Sequence, residues 1–153
     1  MVELNAAMGR IAFSQEVYME CSGAKIWLQE NGIVRIEYPE NFHMTLDVME
    51  SVYQQHLQIT TDQRPILCDA ASVALSDYDA QQFVSTDKAA ALTRVLAIVV
   101  KSAFTRAMAE MFMMFHKPPF PTRIFKCNED ALEWLQTFLT DEDKVSEKRL
   151  YNS

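Results

Sequence analysis

Apolar and polar residues alternate most clearly between Ala24 and Glu40, in the stretch AKIWLQENGIVRIEYPE. Two runs rich in Ile, Val, Trp and Tyr are separated there by Asn31-Gly32. An Asn-Gly pair between alternating apolar runs favours a tight turn, so this stretch predicts a β-hairpin. Residues 1–23 show only broken alternation, and we expect them to form an N-terminal arm, with a strand or an irregular lead-in as the alternatives.

After the hairpin, the spacing of apolar residues alternates between the period of a helix and that of a strand. Strands are predicted at residues 64–70, 95–100 and 122–127, and helices follow the predicted N-caps Thr45, Ser76, Ser102 and Asn128. The resulting order is β-β-α-β-α-β-α-β-α, which is typical of a mixed, mostly parallel sheet with helices. We therefore predict one α/β domain over residues 1–153, with a core at 24–139 and a polar C-terminal tail at 140–153.

The charge of the chain excludes two classes of partner. The formal net charge is −7 and the 14 basic residues are scattered, which argues against nucleic acid and against an anionic membrane surface. The longest apolar runs, such as residues 95–100, are too short to span a bilayer, so no membrane insertion is expected. The opening residues lack the pattern of a signal peptide, and three widely spaced cysteines indicate a cytoplasmic protein with reduced thiols.

Residues with the chemistry of common catalytic or metal sites are sparse. The three glycines do not follow parallel strands, so neither glycine-rich phosphate-binding motif is present. His43, His56 and His116 stand at no spacing typical of metal ligands, and no nucleophile motif is found. We expect a non-catalytic protein without cofactor or metal, in which His56 is a partly buried structural residue and Cys68 is a small buried one.

Lys101, Ser102 and Thr105 lie where the strand VLAIVV meets the next helix. A helix N-terminus at the carboxyl end of a parallel strand has unpaired N–H groups that attract anions. These residues are therefore a candidate site for phosphate or carboxylate. Lys101 and Ser102, together with Asp69, are also a candidate enzyme site. The alternative is a helix cap formed by Ser102 beside a solvated lysine.

The helix after this junction is rich in methionine and phenylalanine. We expect one apolar stripe to cover the sheet, formed by Phe104, Ala107, Met108, Met111 and Phe115. Residues 111–115 are all large and apolar and surround the helix, so one sheet face cannot bury them all. Phe112 and Met113, with Phe120 nearby, are a candidate surface for a partner or an apolar ligand. The chain's own termini, a second copy, another protein or a small apolar ligand would cover it.

The element order, with Asp69 closing the third strand, resembles the STAS-like fold of bacterial anti-sigma-factor antagonists over residues 24–139. The stretch AIVVKSAFTRAMAEMFMMFHKPPFPTRIFKCNEDALEWL is similar to a group of small uncharacterised bacterial proteins described as SpoIIAA-like. The resemblance implies a mostly parallel sheet covered by helices. It also implies a regulatory serine at the start of the helix that follows the third strand.

In the antagonists that serine is phosphorylated by a partner kinase and is followed by glycine. This chain has Tyr78, Asp79 and Ala80 at the corresponding place, so the hydroxyl is missing in register. Ser76 is a nearby candidate for phosphorylation, and Asp79 is a candidate for a permanent negative charge. The alternative for Asp79 is ordinary stabilisation of the helix dipole from the first turn.

The first functional hypothesis is a non-catalytic interaction or regulatory module that forms a homodimer through the methionine-rich helix. The second is a carrier of a small apolar or lipid-like ligand, by analogy with lipid-transfer domains of related fold. The third is an enzyme at the carboxyl end of the fourth strand. Replacing Phe112 and Met113 with Glu should disrupt association if the first hypothesis is correct.

Overall fold

The computed structural model describes residues 18–21 and 23–143 of the chain, the first four by their backbone alone. Eight strands lie in this part: β1 (Tyr18–Cys21), β2 (Ala24–Leu28), β3 (Val34–Glu37), β4 (Phe42–Met44), β5 (Arg64–Asp69), β6 (Val73–Ser76), β7 (Thr93–Val99) and β8 (Thr122–Phe125). The same residues form five α-helices: α1 (Leu46–Ile59), α2 (Tyr78–Gln82), α3 (Asp87–Leu92), α4 (Ala103–His116) and α5 (Asn128–Gln136). Short 3₁₀ turns cover Phe83–Ser85 and Asp141–Asp143.

The main sheet of the described chain has six strands in the order β1-β2-β3-β5-β7-β8. β2 pairs antiparallel with β1 and with β3, whereas the pairs from β3 to β8 are parallel. The predicted mixed, mostly parallel α/β sheet is thus confirmed. β4 and β6 form a separate two-stranded parallel sheet, which the sequence pattern did not predict.

The predicted hairpin joins β2 to β3 through a turn that contains Asn31 and Gly32. Gly32 has a φ of +100°, which is strained for any residue with a Cβ atom. Its N–H donates to the carbonyl of Gln29 at 2.9 Å, and the side-chain oxygen of Asn31 accepts from the N–H of Ile33 at 3.1 Å. The Asn-Gly pair therefore forms the turn that its position between two apolar runs indicates.

Alternation along the central strands gives the sheet two apolar faces. On the first face, Ile66 and Ile98 belong to a core that also contains Val52 of α1. Helix α4 adds Ala109 and Phe112 to the same core. The opposite, second face packs against α5 and the residues that follow it. The helices thus lie on both sides of the sheet, as its parallel crossovers require.

The prediction of a single helix after Ser76 is wrong, because the chain forms α2, a 3₁₀ turn and α3 there. Thr86 accounts for the break. Its hydroxyl donates to the carbonyl of Phe83 at 2.6 Å and accepts from the N–H of Ala89 at 3.3 Å. Local bonds of this kind compete with the continuing helix and start a new one.

The predicted N-caps are right at two of the four helices. Thr45 and Ser102 cap α1 and α4 with their side chains. The prediction is wrong at Ser76, which pairs with β4 as the last residue of β6, so that Asp77 becomes the N-cap of α2. It is also wrong at Asn128, which is the first residue inside α5.

A cluster of hydrogen bonds ties the C-terminal turn to the start of the central strands. Arg64 donates to the carbonyls of Asp143 at 2.8 Å and of Gly32 at 3.3 Å. Arg94 and the N–H of Thr140 both donate to the Asp143 carboxylate. We call these five residues the C-terminal clasp. Residues 140–143 of the predicted tail therefore contact the sheet, while residues 1–17 and 144–153 lie outside the described residues.

Candidate functional site

A cavity of about 200 Å³ lies between the first face of the sheet and the helices that cover it. Ile66, Cys68 and Ile98 line it from the sheet, and Met108, Ala109 and Phe112 line it from α4. Residues of α1, α2, α3 and the intervening 3₁₀ turn also line it. Since close-packed protein interiors leave few voids larger than a water molecule, a cavity of this size is a candidate ligand site.

The lining of this cavity is mainly apolar and contains no Lys, Arg, Asp or Glu among the described residues. Some of its few polar side chains already have hydrogen-bond partners. The amide nitrogen of Gln81 donates to the carbonyl of Ser76 at 3.1 Å, and the Thr105 hydroxyl lies 2.9 Å from that of Ser102. A neutral apolar molecule therefore matches the lining, whereas a charged group would lose its hydration without a counter-charge.

His56 lines the cavity from the last turn of α1. It is 4% exposed and thus more deeply buried than predicted, and its Nε2 atom has no hydrogen-bond partner among the described residues. Burial, and secondly the positive charge of Arg64, lowers the pKa of His56 to about 4. The ring is therefore neutral near pH 7, when one nitrogen donates and the other accepts.

Cys68 lines the cavity from β5 and is half-buried. Burial, followed by the negative charge of Asp69, raises the pKa of the Cys68 thiol to about 12, although a hydrogen bond with Tyr38 opposes this shift. The thiol therefore stays protonated at neutral pH. Because the thiolate is the reactive form, Cys68 has the chemistry of a structural cysteine.

The candidate anion site at Lys101, Ser102 and Thr105 forms a helix cap. The Ser102 hydroxyl accepts from the N–H of Thr105 at 3.1 Å, and the Thr105 hydroxyl accepts from the N–H of Ser102 at 3.2 Å. Asp69, the added residue of the enzyme hypothesis, accepts from the N–H of Ala71 at 3.1 Å. The hydroxyls of Ser102 and Thr105 therefore form a reciprocal helix cap. A helix cap was the alternative to an anion site at this place in the sequence.

The predicted orientation of α4 is right at Met108, which lines the cavity, and wrong at the other four residues of the expected stripe. Phe104, Met111 and Phe115, which were expected to cover the sheet, are 67%, 57% and 68% exposed. The side that contacts the core contains Ala109 and Phe112 instead. The reason is that residues 111–115 are all large and apolar, so their pattern is compatible with more than one helix orientation.

The candidate residues Phe112, Met113 and Phe120 therefore have different surroundings. Phe112 and Phe120 are half-buried and line the cavity. Met113 is half-buried and is not among the residues of the lining. Phe112 also stacks on the His116 ring, with 5.6 Å between ring centroids. The structure thus places Phe112 and Phe120 at the cavity and Met113 outside its lining.

The exposed side of α4 carries an apolar surface of its own. Four of its large side chains are exposed, and we call them the α4 patch: Phe104, Met111, Met114 and Phe115. Arg106 and Glu110 form an ion pair on this helix at 3.6 Å. An apolar surface with charged neighbours is typical of protein contact sites.

The two candidate regulatory positions lie close together in the chain but in different environments. Ser76 is half-buried at the end of β6, where it lines the cavity. Asp79 is exposed in the first turn of α2. The structure thus puts the Ser76 hydroxyl on a strand, whereas the antagonist pattern implies a serine at a helix start.

The sequence did not predict one contact between two polar side chains. His43 of β4 and the N-cap Asp77 of α2 are 2.7 Å apart, from Nε2 to Oδ1. They are separated by 34 residues and meet because β4 pairs with β6, so no local spacing signals the contact.

In residues 18–21 and 23–143, no group of three His, Cys, Asp or Glu side chains is placed to hold a metal ion. No helix of this part is long and apolar enough to cross a bilayer.

A family model described as a domain of unknown function (DUF7793) matches residues 26–139 of the chain. None of the curated proteins matches the sequence. Among solved structures, an uncharacterised DUF3478-family protein with a SpoIIAA-like fold, from Shewanella loihica PV-4, has a TM-score of 0.50. It is 13% identical, and the match covers 78% of this chain and 91% of that chain.

A protein of unknown function from Arthrobacter sp. FB24 is 23% identical to this chain, with a TM-score of 0.27. That match covers 72% of this chain and 96% of the Arthrobacter chain. At 13% identity, the Shewanella protein shows a shared fold alone. The predicted SpoIIAA-like architecture is thereby confirmed.

Proposed function

The chain belongs to the DUF7793 family, and for this member we propose a non-catalytic function, the binding of a small apolar ligand in the cavity between the sheet and α1 and α4. The observation that carries the proposal is the cavity of about 200 Å³ with its mainly apolar lining. An engineered apolar cavity of about 150 Å³ in another protein binds benzene. A molecule with one aromatic ring or a short branched chain therefore has room here.

The ionisation of the lining residues supports binding over catalysis. Burial lowers the pKa of His56, which keeps the ring neutral, and raises the pKa of Cys68, which keeps the thiol protonated. Acid–base catalysis works best with a group whose pKa lies near the working pH, and nucleophilic catalysis by cysteine needs the thiolate. Neither side chain meets these requirements at neutral pH.

Two matched substitutions in α4 test the proposal. Ala109 lines the cavity, whereas Ala107 is exposed on the same helix. We expect the wild type and Ala107→Met to bind p-xylene in titration calorimetry. Ala109→Met should bind it at least about tenfold more weakly, because the new side chain occupies the cavity.

Native mass spectrometry and organic extraction of the purified protein complete this test. A compound that is retained by the wild type and lost from Ala109→Met would identify the natural occupant. If the wild type binds no p-xylene and carries no stoichiometric compound, the ligand-binding function is wrong. Equal binding by the two methionine variants would place the binding site elsewhere.

A second candidate function is self-association through the α4 patch, and the exposure of Phe104, Met111 and Phe115 favours it. In an antiparallel pair of α4 helices, Phe104 of one copy would face Phe115 of the other. The small Ala107 near the middle of the helix would let the two backbones approach.

Analytical ultracentrifugation of one charged variant tests this second candidate. Phe115→Glu should shift the protein towards the monomer, because a carboxylate in the interface loses its hydration. Leu75→Glu is the control, since Leu75 is also exposed but lies in β6. A wild-type monomer at all concentrations, or a dimer unaffected by Phe115→Glu, would contradict self-association by this surface.

A further inference from the structure

The surroundings of His56 restrict the chemical class of the ligand, an inference that rests on the proposed function of the cavity. We propose that the ligand is a neutral molecule with an apolar body and a hydroxyl group, and that this hydroxyl forms a hydrogen bond with Nε2 of His56. A hydroxyl suits this nitrogen because it both donates and accepts, so it pairs with either tautomer of the ring.

The unpartnered nitrogen is the first observation behind this inference. Nε2 of His56 is buried and makes no hydrogen bond to the described residues, although the side chain belongs to the wall of the cavity. Buried polar atoms in folded proteins nearly always have a partner, either in the protein or in an ordered molecule. Because His56 belongs to the lining, a ligand bound in the cavity would supply this partner.

The absence of ionic side chains from the described lining is the second observation. A carboxylate ligand would need a cation, and Arg64 is the charged group whose field reaches His56. The guanidinium of Arg64 already donates to the carbonyls of Gly32 and Asp143 and to the carboxylate of Asp62. A charged ligand would therefore enter an apolar cavity without compensation, and the neutral state of His56 agrees with a neutral ligand.

The position of His56 also orients the ligand. His56 belongs to the last turn of α1, close to Arg64 at the start of β5. Thr105, a polar residue of the lining beyond the end of β7, uses its hydroxyl in the cap of α4. Leu96 and Ile98 of β7 line the wall from the sheet. The hydroxyl of the ligand should therefore lie at the end of the cavity formed by the strand starts, with the apolar body along β7 and α4.

An isosteric pair of probes tests this inference. p-Cresol and p-xylene have nearly the same shape and differ by a hydroxyl in place of a methyl group. Titration calorimetry measures the ratio of their dissociation constants for the wild type and for His56→Leu. We expect this ratio to change by about tenfold in favour of p-xylene when the imidazole is removed, the effect of one buried hydrogen bond. His56→Leu should still bind p-xylene.

Nitrogen NMR of the wild type gives a readout that does not depend on the folding of a variant. The His56 Nε2 resonance should shift with p-cresol and stay unchanged with p-xylene. If p-xylene binds but p-cresol leaves this resonance and the affinity ratio unchanged, the hydroxyl inference is overturned while the proposed function stands. Tight binding of 4-methylbenzoate would overturn the neutrality of the ligand. Failure of both p-xylene and p-cresol to bind would remove the proposed function itself.

Discussion

Asp143 binds the guanidinium of Arg94 with both carboxylate oxygens, at 2.6 Å and 3.0 Å. The carboxylate is buried and also accepts hydrogen bonds from the N–H and the hydroxyl of Thr140. A two-point ion pair of this kind holds its partners in a defined orientation. The pair thereby attaches the last described turn of the chain to β7.

Removing the Asp143 carboxylate should destabilise the fold. We expect Asp143→Ala to lower the free energy of unfolding by about 2 kcal/mol, because Arg94 and the N–H of Thr140 lose their partner. The exposed Asp141→Ala is the control and should change the value by less than about 0.5 kcal/mol. Urea unfolding followed by circular dichroism measures both, and equal stabilities would contradict the role of the clasp.

The same pair should give a characteristic acid response. The hydrogen bond with Arg94 is the main cause that lowers the pKa of Asp143 to about 2, from an ordinary value of 3.8. The resulting stability is complete above pH 3.8 and is lost as the pH falls towards 2. The difference in unfolding free energy between wild type and Asp143→Ala should therefore shrink across this interval. A difference that stays constant would show that the carboxylate charge is not the stabilising element.

Gly32 should be much less tolerant of alanine than Gly23. A Cβ atom on Gly32 would lie 2.3 Å from the backbone oxygen of Asp143, whereas one on Gly23 would meet its nearest atom at 3.4 Å. Both glycines have positive φ, so the backbone strain of about 1 kcal/mol is common to the two substitutions. Thermal unfolding should show a larger loss for Gly32→Ala, and equal losses would contradict the close contact.

His56 should make stability depend on pH between about 4 and 6.5. Its folded-state pKa of about 4 lies below the ordinary value of 6.5, so the unfolded chain binds more protons in this interval. Stability therefore falls as the pH drops from 6.5 to 4, by about 3 kcal/mol for a shift of this size. The positive charge of Arg64 is the second cause of this shift, after burial.

His56→Gln isolates this effect because glutamine does not titrate. Unfolding in urea at a series of pH values should give a shallower slope for the variant than for the wild type between pH 4 and 6.5. The dependence below pH 3.8, which belongs to Asp143, should remain. Parallel slopes for the two proteins would mean that the imidazole is protonated as easily in the folded state as in the unfolded chain.

Filling the cavity should stabilise the protein without ligand. We expect Ala109→Met to raise the free energy of unfolding by about 1 kcal/mol, because the added side chain buries apolar surface in existing space. Ala107→Met adds the same atoms on the exposed side of α4 and should have little effect. If Ala109→Met destabilises the protein and Ala107→Met does not, the space around Ala109 is too small for the added atoms.

The sequence predicted most of the sheet and less of what covers it. Asn31-Gly32 marks a turn that needs a positive φ, and the apolar run 95–100 is typical of a strand that is buried on both faces, as β7 is. Each of these two signals can be read from a few consecutive residues. The orientation of α4 cannot be read from its own residues. Residues 111–115 are apolar on every side of the helix, so packing against the rest of the protein decides which side is buried.

The candidate site was still harder to predict. Its lining combines His56, Cys68 and Ala109, which are widely separated in the chain and meet through the packing of α1 and α4 on the sheet. The sequence predicted a structural role for His56, but the missing partner of its Nε2 depends on every neighbour in three dimensions. A cavity depends on how the helices and the sheet pack together, so the pattern of residues along the chain does not predict it.

The C-terminal clasp has a consequence for the order in which the chain folds. Arg64 and Arg94 are separated from Asp143 by 79 and 49 residues, so ribosomes complete both strands well before their partner emerges. Contacts of such long sequence separation form late, after local elements and neighbouring strands have assembled. Until then the hydrogen bonds that Arg64, Arg94 and the N–H of Thr140 donate to Asp143 are missing. The newly made domain should therefore be most sensitive to proteases and chaperones at the amino ends of β5 and β7, and closure of this last turn should end that sensitivity.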